Sequence, residues 1–129
     1  MGLTMRRKTV LYVLALSLAG CTPFIPVTEL EDVPGDTMRD ALNVKLVRTG
    51  DPAPKVKRVL GRVSGNSCKH WTWDPPPSNN DALLRMRVEA AQLKANAIVD
   101  VICNQAGTDT FGTNCWASVS CKGAAVVTE

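Results

Sequence analysis

The five cysteines constrain the fold of this chain more than any other feature. Cys21 ends an apolar N-terminal segment, whereas Cys68, Cys103, Cys115 and Cys121 all lie in the second half of the sequence. This second-half set is even in number, and an even set of cysteines in an oxidising compartment forms structural disulfides by default. We therefore predict two disulfides, and the spacing alone leaves all three possible pairings open.

Other cysteine chemistry fits this sequence poorly. A zinc site needs closely spaced ligand pairs, but the nearest cysteines, Cys115 and Cys121, are separated by five residues, and His70 is the single histidine. A thioredoxin-like redox enzyme needs a Cys-x-x-Cys motif, which is absent. The sequence therefore predicts no metal site and no cofactor.

The first 21 residues are typical of an export signal. Arg6, Arg7 and Lys8 form a basic region, and an uncharged, mostly apolar run follows over residues 9–19. That run is about 11 residues long, whereas a membrane-spanning helix needs roughly 20. It ends in Leu-Ala-Gly-Cys, which resembles the lipobox of bacterial lipoproteins. We therefore expect cleavage before Cys21 and acylation of Cys21 with fatty chains such as palmitate, since two or three chains give a stable anchor.

The charges of the exported part are balanced but segregated. Loss of the signal leaves 12 of the 15 basic residues against 12 acidic ones, which argues against general nucleic-acid binding. Residues 45–62 nevertheless contain a basic stretch interrupted only by Asp51. This stretch can face an acidic partner or lipopolysaccharide phosphates, or it can be a solvated strand face, which the sequence slightly favours. Its members are Lys45, Arg48, Lys55, Lys57, Arg58 and Arg62.

The rest of the chain divides into a tether and one folded domain. Residues 22–41 lack helical periodicity and contain Pro23, Pro26 and Pro34, so they predict a flexible tether. Residues 42–129 predict the domain, with strands over 42–47 and 57–64, a helix over 81–95, and strands over 98–102 and 116–127. This order predicts an α+β fold, in which one helix packs on a mostly antiparallel four-stranded sheet (β-β-α-β-β) stapled by two disulfides.

A long loop over residues 65–80 contains Trp71, Trp73 and three consecutive prolines. The two tryptophans can form an exposed recognition pair, but we expect them to cover a small core instead.

No residue set in the sequence is typical of an enzyme. A glycine-rich phosphate loop, a Ser-His-Asp set and paired carboxylates at helical spacing are all missing. We therefore expect the protein to act by binding.

The segments 59–68, 76–78, 85–97 and 123–125, together with Cys68, Cys103, Cys115 and Cys121 in that order, carry a resemblance to a known family over about 70 residues. They resemble the RcsF family, the outer-membrane sensor lipoproteins of the Rcs envelope-stress phosphorelay.

The resemblance implies disulfides between Cys68 and Cys115 and between Cys103 and Cys121. It implies that lipid on Cys21 anchors the protein in the outer membrane with its domain in the periplasm, and Thr22 is not the aspartate associated with inner-membrane retention. The implied partners are an inner-membrane inhibitor of the phosphorelay, outer-membrane β-barrels and the proteins that assemble them. The alternative is a structural or binding lipoprotein of the same fold without a signalling role. Candidate contact residues are Lys55, Lys57, Arg58, Arg62, Trp71 and Trp73.

Overall fold

The structure, a computed structural model, describes residues 29–106 and 115–129. The lipobox and the first part of the predicted tether therefore lie outside the described residues. A short 3-10 turn, Leu30–Asp32, precedes two helices and four strands. The helices are α1 (Gly35–Asn43) and α2 (Asn79–Gln92), and the strands are β1 (Lys45–Arg48), β2 (Val56–Lys69), β3 (Ala97–Ala106) and β4 (Ala117–Thr128).

The four strands form one sheet in the order β1-β3-β4-β2. The β2–β4 and β3–β4 pairs are antiparallel, whereas β1 runs parallel to β3. The predicted α+β class is confirmed, but the sheet is mixed. The parallel pair arises because β1 joins β3 only after the chain has passed through β2 and α2, which together make a crossover connection.

The predicted tether is wrong over residues 35–41, because these residues form most of α1. Ala41 and Val44 are buried, and Leu30, Val33 and Met38 pack against the same core from partly buried positions. The prolines and acidic residues of this segment obscured that spaced apolar set. The first strand also begins at Lys45 instead of residue 42, since Leu42 lies on α1 and is exposed.

The strand β2 is longer than the sequence predicted. It continues through Gly65, Asn66 and Ser67 to Lys69, and it pairs along its length with β4. The sequence predicts a loop over residues 65–80 because this segment is rich in Pro, Ser and Asn, but residues 65–69 belong to the strand. Gly65 is small for a packing reason, since α2 lies directly over this part of the strand.

The predicted helix over 81–95 is confirmed as α2, with its start two residues earlier and its end at Gln92. Ser78 caps it, because its Oγ accepts a hydrogen bond from the backbone N–H of Asp81 at 3.1 Å. Asp81 also pairs with Arg85 one turn later. Met86, Val88 and three alanines of α2 are buried, and α2 packs both on the sheet and on α1.

Asn96 fastens the junction between α2 and the sheet. Its Oδ1 accepts a hydrogen bond from the N–H of Thr128 at 2.9 Å, and its own N–H donates to the carbonyl of Val126. Its carbonyl accepts from the N–H of Lys45. One residue therefore joins the start of β1 and the end of β4. Asn96 belongs to the segment 85–97 that carries part of the resemblance, and these bonds give it a structural role.

Gly65 allows α2 to approach β2 closely. A Cβ at this position would overlap the carbonyl oxygen of Ala82 and lie 2.5 Å from the backbone nitrogen of Met86. These are backbone atoms of a helix, so they cannot move aside without shifting α2.

We expect Gly65→Ala to lower the free energy of unfolding by about 3 kcal/mol, because α2 must retreat from the sheet. Urea unfolding of the purified, oxidised protein measures this. The matched control is Gly35→Ala, where a Cβ meets no atom within 4 Å and the change should stay within about 0.5 kcal/mol. Equal stabilities for the two variants would show that the close α2–β2 contact is wrong.

Candidate functional site

Two disulfides tie the three long strands together. Cys68, near the end of β2, is bonded to Cys115, which lies two residues before the start of β4. Cys103 of β3 is bonded to its cross-strand neighbour Cys121 of β4. These are the two pairings that the resemblance implies. Because the bridges cross along the chain, β4 is fixed to β2 at one end and to β3 within its length.

The segment between β2 and α2 is organised around one carboxylate. Asp74 Oδ2 accepts hydrogen bonds from the backbone N–H groups of His70 at 3.0 Å and Trp71 at 2.9 Å. The N–H of Asp74 donates in return to the carbonyl of Trp71. The segment returns to β2 where the N–H of Ser78 donates to the Oγ of Ser67. The loop is therefore a hydrogen-bonded turn that presents its tryptophans in a fixed place.

Trp71 and Trp73 stack on each other at the surface. Their ring centroids are 5.5 Å apart with an angle of 3° between the planes. Trp71 is 59% exposed and Trp73 is 79% exposed. The expectation that they cover a small core is therefore wrong. Each ring uses its partner as its apolar contact, and the pair stands outside the core as a flat aromatic surface.

His70 lies beside the Cys68–Cys115 disulfide. Its Nδ1 is 3.6 Å from the Sγ of Cys68. Cys68 is partly buried, Cys115 is buried and His70 is exposed, so this cluster opens to solvent on the histidine side.

The basic stretch of the sequence does not form one surface. Lys45 and Arg48 lie on β1, whereas Lys57, Arg58 and Arg62 lie on β2, and these strands form opposite edges of the sheet. The ammonium of Lys55 lies 3.7 Å from a carboxylate oxygen of Glu129. Within residues 29–106 and 115–129, no ion pair involves Lys57, Arg58 or Arg62. We call these three exposed residues the β2 basic group.

The β2 basic group and the tryptophan pair are separate features. Arg62 and Lys69, where the tryptophan loop begins, are seven positions apart along an extended strand, which is roughly 23 Å. The candidate residues therefore provide two surfaces at different positions along β2.

Sequence reasoning missed Asp74, which organises the tryptophan loop. The Asp-Pro pair at 74–75 indicates a turn, but it does not indicate that the carboxylate accepts the N–H groups of His70 and Trp71, which precede it. In the part of the chain that the structure describes, no helix is long and apolar enough to cross a membrane.

Comparison with known proteins identifies the family. The RcsF lipoprotein family matches residues 34–129, which include both helices, all four strands and both disulfides. This chain belongs to the RcsF family. It is 40% identical over 70 residues to the outer membrane lipoprotein RcsF of Escherichia coli strain K12, and equally to that of Escherichia coli O6:H1 strain CFT073.

The matched region is 54% of this chain and 49% of each Escherichia coli protein. The chain therefore spans about half the length of the curated relatives that it matches. The family match begins at Pro34, directly before α1. It includes the helix that the sequence had not predicted.

We expect the double substitution Trp71→Ala and Trp73→Ala to lower the free energy of unfolding by less than about 1 kcal/mol, because neither ring belongs to the core. Thermal or urea unfolding checks this. Met86→Ala is the comparison, since Met86 is fully buried and its truncation should cost about 2–5 kcal/mol. If the double variant loses as much unfolding free energy as Met86→Ala does, the tryptophans cover part of the core after all.

Proposed function

We propose that this protein is an outer-membrane lipoprotein that senses envelope stress and activates the Rcs phosphorelay by engaging an inner-membrane inhibitor. The family match over residues 34–129 carries this proposal. The matching Escherichia coli proteins are outer membrane lipoproteins. A stapled domain with an exposed aromatic pair and an exposed basic edge suits recognition of a protein or lipid surface. No catalytic residue set among the described residues suggests an enzyme.

The proposed anchor is the acylated Cys21. Seven residues separate Cys21 from Glu29, the first described residue, so the two are at most about 30 Å apart along a fully extended chain. Because residues 35–41 belong to α1, the proposed tether is shorter than the 20 residues that the sequence predicted. In this proposal the domain is held close to the membrane on the periplasmic side.

The β2 basic group is the proposed contact for an acidic surface. Its three cations lie on an edge strand, and exposed cations without a nearby acid attract phosphate or carboxylate groups. The partners that the family implies are the inner-membrane inhibitor, outer-membrane β-barrels and barrel-assembly proteins. The tryptophan pair provides a second, apolar surface, since exposed tryptophans are enriched at binding interfaces.

We expect deletion of this gene to abolish induction of a phosphorelay reporter after polymyxin or lysozyme treatment, and the plasmid-borne gene to restore it. Cys21→Ala should fail to restore normal signalling and should leave the membrane fraction, because the acyl anchor is lost. Unchanged induction in the deletion strain rejects the signalling role. The protein would then be a structural or binding lipoprotein.

The same strain tests the contact surface. In the deletion strain, the double variant Arg58→Glu and Arg62→Glu should give less induction than the wild-type protein at equal protein level. The double variant Lys45→Glu and Arg48→Glu should give the same induction as the wild-type protein. The control makes the same charge change on the opposite edge strand. Equal induction by the two double variants would show that the β2 basic group is a solvated face.

A further inference from the structure

We propose that reduction of the Cys68–Cys115 disulfide creates a binding site for Zn²⁺, formed by the two cysteine thiolates and His70. The Sγ atoms of Cys68 and Cys115 and a ring nitrogen of His70 all lie within 4.8 Å of one another. Thiolate and neutral imidazole are the ligands that zinc prefers in proteins. The proposal does not depend on the signalling function.

The distances suit a tetrahedral zinc ion. Two ligands bound to zinc at their usual bond lengths are about 3.8 Å apart when both are sulfur, and about 3.6 Å apart when one is an imidazole nitrogen. The Nδ1 of His70 already lies 3.6 Å from the Sγ of Cys68. After reduction the two sulfur atoms must separate, and the 5.5 Å between the Cα atoms of Cys68 and Cys115 leaves room for side-chain rotation that brings both sulfur atoms and the imidazole around one ion.

The backbone around the ligands is held by bonds other than the disulfide. Cys68 pairs with Ser118 and Lys69 with Ala117 in the β2–β4 ladder, and the N–H of Trp116 donates to the carbonyl of Lys69 at 2.7 Å. The N–H of His70 is held by Asp74. The three ligands therefore stay near one another after the sulfur–sulfur bond opens, which lowers the entropic cost of binding a metal.

The chemical steps balance without an unnamed reactant. A dithiol reductant transfers two electrons and two protons to the disulfide and is itself oxidised to a disulfide. Cys68 and Cys115 then each release a proton as they bind Zn²⁺. Two thiolates neutralise the charge of the ion, and water completes the fourth position on the exposed side. The newly exported chain, before its disulfides form, is in the same reduced state.

The second bridge differs in a way that gives a control. Cys121 is fully buried, and the metal-ligand group contains neither Cys103 nor Cys121. Zinc binding should therefore depend on Cys68 and Cys115 and be insensitive to the loss of the other pair.

The full-length protein, reduced anaerobically with a phosphine, tests the proposal. Zn²⁺ is titrated in competition with a chromophoric chelator, and Co²⁺ is used as a probe, because a Co²⁺–thiolate bond has a charge-transfer absorption. We expect one Zn²⁺ per chain, the cobalt–thiolate band, and retention of both when Cys103 and Cys121 are replaced by alanine. His70→Ala should weaken Zn²⁺ binding by at least about tenfold, and His70→Cys should restore it.

Replacement of both Cys68 and Cys115 by alanine should abolish the band and the binding. Persistence of either in that variant would overturn the proposal, and so would unchanged affinity in His70→Ala. Circular dichroism of every reduced protein monitors the fold. If the variant that lacks Cys103 and Cys121 unfolds, the comparison of reduced wild type with His70→Ala decides the question.

Discussion

The crossed pair of disulfides is the constraint on which the rest of this structure depends. The core is built mainly from alanine and valine, and among the described residues no leucine or aromatic side chain is fully buried. A small domain with such a core gains only about 3–5 kcal/mol from burial. In the chain-entropy description, closing the loop from Cys68 to Cys115 contributes about 4 kcal/mol and closing that from Cys103 to Cys121 about 3 kcal/mol. The bridges therefore contribute at least as much as the core.

The disulfides also help to position the exposed tryptophan pair. Because Cys68–Cys115 fixes the end of β2 to the start of β4, the loop that carries Trp71 and Trp73 begins from a rigid point, and Asp74 holds its turn. The tryptophans can then stay exposed without loosening the core. The β2 basic group lies farther back along the same strand, where β2 pairs with β4 but forms the edge of the sheet. A long edge strand with basic side chains resists unwanted strand pairing and remains available to an acidic surface.

The sequence predicts the parts of this fold that have a strong local signal. The helix α2 is predictable from its apolar stripe and from the possible capping residues at 78–80, of which the structure uses Ser78, and the two central strands are predictable from their apolar runs. The helix α1 was not, because Pro34 and a series of charged residues obscure the spacing of Leu30, Met38 and Ala41, which matters only once α2 is in place. The end of β2 was missed for a similar reason, since Gly65 is small to admit α2 and not to form a turn. The exposure of the tryptophans and the separation of the basic residues onto two edges depend on sheet order, which no local pattern contains.

Peptide mapping of the purified, non-reduced protein tests the disulfide framework most directly. Proteolysis between the cysteines, followed by mass spectrometry, should recover peptides that join Cys68 to Cys115 and Cys103 to Cys121, with no free thiol among these four. A peptide that joins Cys68 to Cys103, or four free thiols in the protein as purified without reductant, would contradict the account, because the crossed links between β2, β3 and β4 would then not be present in the native protein.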